Sequence, residues 1–169
     1  MNKLLLLVCL SFFFNCKKNN ETILKTYPRN IGDISFDVTK DNVDFVTCNG
    51  DDKIYQYFNT GDGLDFKGEK YSINNTFKEK YVSVNNNESG LIRVRFIVNC
   101  KAQTGRFRIL QMDNQYKEKQ FDPRITNQLL EITKNLSGWK IKEYHGSEID
   151  YYQYLIFKIE KGEIIEILP

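Results

Sequence analysis

Residues 90–100, Gly90-Leu91-Ile92-Arg93-Val94-Arg95-Phe96-Ile97-Val98-Asn99-Cys100, decide the fold class. On an extended chain Ile92, Val94, Phe96, Val98 and Cys100 fall on one side. Leu91, Arg93, Arg95, Ile97 and Asn99 fall on the other. A period of two sustained this long is a strand with one face in a core. Lys101-Ala102-Gln103-Thr104-Gly105 is a hairpin-length connection, and Arg106 to Met112 returns as a second strand. Arg106 and Arg108 share one side of that strand, opposite Phe107 and Ile109. The hairpin therefore predicts an apolar side and a side carrying four guanidinium groups.

Outward from the hairpin the period changes. Glu69, Ile73, Phe77 and Tyr81 step by four, which predicts a helix over 69–81. Asp122 stands at an N-cap position, Pro123 at the first helical position, and Ile125, Leu129, Ile132 and Leu136 make one apolar stripe before Gly138. Trp139 follows as a lid. Tyr151 to Ile159 alternates again, Lys161-Gly162 turns, and Ile164 to Leu168 makes a last strand. The expected order over 69–168 is helix, strand, strand, helix, strand, strand. This is an α+β fold, an antiparallel sheet with helices packed on one face. Upstream, Ile34, Phe36 and Val38 alternate, Val43 to Cys48 reads as a second short strand, and Ile54 to Phe58 is an aromatic run of either type. The segment 31–61 is an irregular N-terminal extension to a domain of residues 62–169.

The N-terminus carries a different signal. Lys3 precedes an apolar run from Leu4 to Phe14 that stops at Asn15, too short to span a bilayer, where about 20 apolar residues are needed. Cys16 and the polar Lys17-Lys18-Asn19-Asn20-Glu21-Thr22 follow. This layout resembles a bacterial lipoprotein signal, which implies a leader of residues 1–15, acylation of Cys16 and a tether of residues 16–30. The alternative is an ordinary secretory leader that leaves Cys16 a plain thiol. Lys17 directly after the Cys suits an outer-membrane anchor, and the Lys pair suits a periplasm-facing one. Cys9 leaves with the leader, so Cys48 and Cys100 remain, and a pair in an exported chain reads as one disulfide. The 52-residue spacing gives about 4 kcal/mol in the chain-entropy treatment.

The segments Phe66-Lys67-Gly68-Glu69, the helix to Tyr81, the strand Gly90–Asn99, the turn ending at Gly105, the helix closing on Trp139 with Gly146 beyond, and the strand Tyr154–Ile159 together resemble the C-terminal domain of TonB-type energy transducers. The resemblance spans about residues 62–168. It implies a peptide-binding sheet edge, since terminal strands in that family pair with an extended peptide of an outer-membrane transporter. It does not imply energy transduction: this sequence shows neither a spanning apolar helix nor, with three Pro, a Pro-rich rod.

Composition narrows the function further. A formal charge of +2 gives no electrostatic case for nucleic acid or for an anionic membrane surface. The single His145, in Glu143-Tyr144-His145-Gly146, argues against His-based triads and zinc sites. Asp51-Asp52 and Asp62-Gly63-Leu64-Asp65 lack the ligands of a calcium loop. No phosphate-binding loop, dinucleotide fingerprint or nucleophile elbow is present, so neither a cofactor nor catalysis is expected. The candidate partner surface is Arg93, Arg95, Arg106 and Arg108 with Tyr152 and Tyr154, residue types that recur at interface hot spots. The competing reading covers this face with the extension and its Asp33, Asp37, Asp41 and Asp44. The second candidate is the terminal sheet edge, which Pro169 would blunt. The expected function is a lipid-anchored envelope accessory module recognising a protein partner; the alternative is a structural lipoprotein of an envelope complex.

Overall fold

The computed structural model describes residues 32–61, 63–84 and 87–168, so the leader, Cys16, the whole tether, Asp62, Asn85, Asn86 and Pro169 lie outside it. The alternating stretch is the strand β2 (Gly90–Val98; strands are numbered in chain order), and both of its edges are paired. β3 (Thr104–Met112) runs antiparallel on one side and β5 (Ser147–Glu160) antiparallel on the other. β5 is the longest strand, and its far edge changes partner along its length. It takes β4 (Lys142–Tyr144) at its start, β1 (Ile54–Gln56) at residues 150–152 and β6 (Glu163–Leu168) from Ile156 onward.

The fold is α+β, with six strands and two helices among the described residues. The antiparallel sheet expected over residues 69–168 forms, and β1, from the N-terminal extension, joins it parallel to β5, so the sheet as a whole is mixed. The physical reason is where the chain comes from. The segment leaving Cys48 is fixed beside Asp150 near the start of β5, so it continues alongside β5 in the same direction.

The helices α1 (Glu69–Lys80) and α2 (Pro123–Lys134) lie on one side of the sheet, where the hydrophobic periodicity puts them. Ile73 and Phe77 of α1 and Ile125, Leu129 and Ile132 of α2 bury against Ile92, Val94, Leu155 and Phe157. Phe77 meets Phe157 with ring centroids 4.8 Å apart, and Trp139 closes the end of this core on Phe66 at 4.9 Å and Phe96 at 5.1 Å. Asp122 caps α2 by accepting the Arg124 N–H at 2.8 Å, with Pro123 in the first turn. No helix among the described residues is long and apolar enough to cross a membrane.

The strands expected at 34–38 and 43–48 do not form. Asp37 organises a turn instead: its carbonyl accepts from Lys40 and Asp41, and its carboxylate accepts from the Thr39 N–H at 3.0 Å. The backbone around it finds partners in side chains of the sheet rather than in a ladder. Residues 32–51 thus form a strap across the sheet face that the helices leave open. A further hairpin joins β4 to β5 through His145 and Gly146, both at positive φ (51° and 77°), the geometry of a two-residue turn.

Candidate functional site

Cross-strand register builds the helix-free face. Arg95 lies opposite Arg108 on β3 and Tyr154 on β5; Arg93 lies opposite Leu110 and Ile156. A register shift between Arg95 and Ile97 inserts Arg106 as an extra residue of β3, at a φ of 54°. The left-handed conformation costs an Arg about 1–2 kcal/mol. In return it places the guanidinium under the strap, where Nη1 donates to Asp51 Oδ2 at 2.8 Å and to the Ile34 carbonyl at 3.3 Å.

The strap supplies the counter-charges and acceptors. Arg108 forms a two-pronged pair with Asp41, both N–O distances 2.7 Å, and Nη2 also donates to the Ser35 carbonyl at 2.9 Å. The Asp41 side chain is 1% exposed. Its hydrogen bonds from Arg108 hold its carboxyl below the usual carboxylate range, against the opposing effect of burial. Asp51 is lowered in the same way by its hydrogen bond from Arg106. Arg95 donates to the Gly32 carbonyl at 2.8 Å and stacks over the Tyr152 ring at 5.3 Å. The Tyr152 hydroxyl accepts from the Ile34 N–H at 3.3 Å, and burial raises its pKa. Beneath the strap Ile34, Phe45, Ile97 and Tyr152 form a small second core. Gly105 is required there, because a Cβ would run into the Phe45 ring.

So the six residues expected to form a partner surface do share one face, yet the chain itself uses most of them. Arg95, Arg106, Arg108 and Tyr152 are engaged by residues 32–51. Arg93 and Tyr154 sit at the strap's margin. Arg93 lies 5.9 Å over the Tyr154 ring, and Tyr57 donates a hydrogen bond to the Tyr154 hydroxyl at 3.3 Å. Of the four acids expected to cover this face, Asp41 binds an arginine, whereas Asp37 pairs with Lys40 at 2.6 Å. Asp51, read from sequence as a poor calcium ligand, is the other anchor.

The strap's end is stitched by Cys48 and Cys100, joined as a disulfide with Cα atoms 6.0 Å apart. Sequence reasoning missed Asp150, which is fully buried beside it. Asp150 Oδ2 accepts from the N–H groups of Cys48 and Asn49, both at 2.8 Å, and Oδ1 from that of Cys100 at 3.0 Å. The Asp150 carboxylate and the two sulfurs lie within 4.8 Å of one another, but the sulfurs are bonded together and the carboxylate is taken by three amides. Asp65 pairs with the buried Lys142 at 2.8 Å and ties the loop after β1 to β4. His145 is exposed at the β4–β5 turn.

The second feature is an edge. β6 pairs with β5 alone, so its outer edge has no strand beside it among the described residues. Between that edge and α1 runs a groove of about 580 Å³. Lys70, Asn74 and Lys78 border it from α1; Glu163, Ile165 and Glu166 border it from β6. Phe77 and Tyr81 form its floor. The Tyr81 hydroxyl donates to the Gly162 carbonyl at 2.8 Å, and burial pushes its pKa up to about 12. A neutral, fixed floor beside an open strand edge is a setting for an added strand, with main-chain groups giving affinity and alternate side chains giving selectivity. An edge at the terminal strands is what the resemblance implies; the α1 lysines beside it carry no such signal, since both fall outside the apolar stripe that identifies the helix.

Comparison of the chain with protein-family models, with curated proteins and with solved structures finds no match.

Proposed function

We propose that this chain is a lipid-anchored cell-envelope module that recognises a protein partner by taking an extended segment of it along the β6 edge. The observation that carries this reading is the open edge of β6 facing the α1 groove. The resemblance of residues 62–168 to the TonB C-terminal domain supports the same edge, and the leader-like N-terminus with Cys16 supports the envelope setting. Lys70 and Lys78 line the helix side of the groove, so side chains of the added strand that point toward α1 are acidic or polar. The backbone of β6 supplies the remaining hydrogen bonds, without a nucleophile or a cofactor.

The test is capture from an outer-membrane extract by the acylated protein and two variants. Ile165→Lys puts a charge on the half-exposed edge, and Lys70→Glu with Lys78→Glu reverses the groove's helix side. A partner retained by the wild type and lost by both variants, each still folded, supports edge recognition. A stoichiometric complex untouched by both variants points to a scaffold that uses another surface and ends this proposal.

A further inference from the structure

The strap carries apolar residues that remain exposed, although Phe36 also meets the Arg106 guanidinium, which lies 5.6 Å over its ring. Phe36, Val38, Val43 and Val46 are all exposed, Val38 at 74%, within one short stretch of the chain. Phe36 and Val38 border a shallow depression of about 860 Å³ whose other walls include Gly32, Arg93, Arg108 and Leu110. Gly32 is also where the tether enters the described fold, pinned by Arg95. Fifteen residues lie between it and Cys16, a reach of at most about 58 Å when fully extended.

Charge distinguishes the tether from the body. Residues 17–31 hold Lys17, Lys18, Lys25 and Arg29 against Glu21 alone. Residues 32–169 hold 19 Lys and Arg against 21 Asp and Glu. A cationic stretch directly after a lipid anchor is drawn to anionic headgroups. Across the strap face Asp33, Asp37, Asp41, Asp44 and Asp51 stand against Lys40 and the sheet's Arg93, Arg95, Arg106 and Arg108, five against five, so local charge neither attracts nor strongly repels a bilayer, and the exposed side chains decide the contact.

Resting on the lipid-anchor reading, we propose that the strap face lies against the bilayer surface, with Phe36 and Val38 in the interfacial layer. This orientation turns the helix-covered side of the sheet away from the membrane. The occupant is the lipid surface itself, which one short cationic tether delivers to the patch where it joins the fold.

The experiment reconstitutes the acylated chain in phosphatidylethanolamine–phosphatidylglycerol vesicles with brominated acyl chains. Phe36→Trp reports on the strap. Tyr71→Trp, at an exposed position of α1 across the sheet, is the control, and the wild type subtracts the buried Trp139. Phe36→Trp is expected to lose roughly half of its added emission to bromine while Tyr71→Trp keeps its own. No quenching at Phe36, or equal quenching at both, overturns the proposal. Intact mass reads acylation separately. If Cys16 proves bare, the unacylated chain added to the same vesicles still decides: selective quenching at Phe36 supports the strap contact, and its absence overturns it.

Discussion

Arg108→Met is the substitution that most directly probes how the strap is held. It keeps the hydrocarbon stem and removes the guanidinium that Asp41 meets at 2.7 Å through both oxygens. Asp41, its side chain 1% exposed, keeps one hydrogen bond, from the Asp37 N–H at 2.8 Å. Orphaning one member of a buried pair costs about 3–5 kcal/mol. Arg108 is itself partly exposed, so the lower end, about 3 kcal/mol, is expected here. For a domain of this size that lowers the midpoint of thermal unfolding by about 6–12 °C. The pH dependence fixes the cause. The Asp41 carboxyl is held below its unfolded value by Arg108, so its stabilisation is complete above about pH 4 and is lost as pH falls through its lowered folded pKa. Without Arg108, burial favours the neutral acid. Wild type and Arg108→Met therefore differ fully at neutral pH and converge in acid, as pH falls through the lowered folded pKa of Asp41. Urea unfolding at neutral pH and in acid measures this. A neutral-pH difference below about 0.5 kcal/mol, the range of an exposed pair, refutes the reasoning. A difference that persists undiminished in acid shows that the carboxylate is not what Arg108 satisfies.

Three further outcomes are expected. Cys48→Ser with Cys100→Ser lowers unfolding free energy by about 4 kcal/mol in the chain-entropy treatment of a loop this long, measured by denaturant titration; the second core of Ile34, Phe45, Ile97 and Tyr152 loosens first, seen as faster amide exchange at Ile34. Gly105→Val displaces the Phe45 ring and costs about 1–3 kcal/mol, whereas the same substitution at exposed Gly61, where nothing lies within 4 Å, is felt only through its left-handed backbone. Asp150→Asn leaves at least one of three N–H groups, those of Cys48 and Asn49 partly buried and that of Cys100 buried, without an acceptor; it slows reoxidation of the reduced chain and costs about 1–3 kcal/mol, and wild-type reoxidation kinetics in the variant would remove Asp150 from that role.

The parts of the fold legible in the sequence are those in which one period repeats against one environment. β2 alternates for nine residues with its apolar side in the core, and α2 has a cap, a Pro and a stripe. The strap was illegible as structure because its order comes from elsewhere. Ile34, Phe36 and Val38 alternate like a strand, but the backbone groups of Ile34 and Ser35 are met by Tyr152, Arg106 and Arg108, residues about 70 to 120 positions away. The four arginines were legible as a cluster, but what commits Arg106 and Arg108 to the strap is Asp51 and Asp41, two acids with no local signature. The β4–β5 turn escaped because His145 takes a positive φ, where Asn or Gly is the usual sign. The β6 groove escaped because it is made by two elements whose proximity only the completed sheet defines.

Hydrogen exchange of β6 in the presence of a captured partner tests the central claim most directly. The outward N–H groups of Glu163–Leu168 exchange readily in the free protein, because no strand lies beside them among the described residues. Edge recognition predicts that partner binding slows exchange there and along the facing side of α1, with the strap unchanged. Tight binding that leaves β6 exchange untouched would contradict the account.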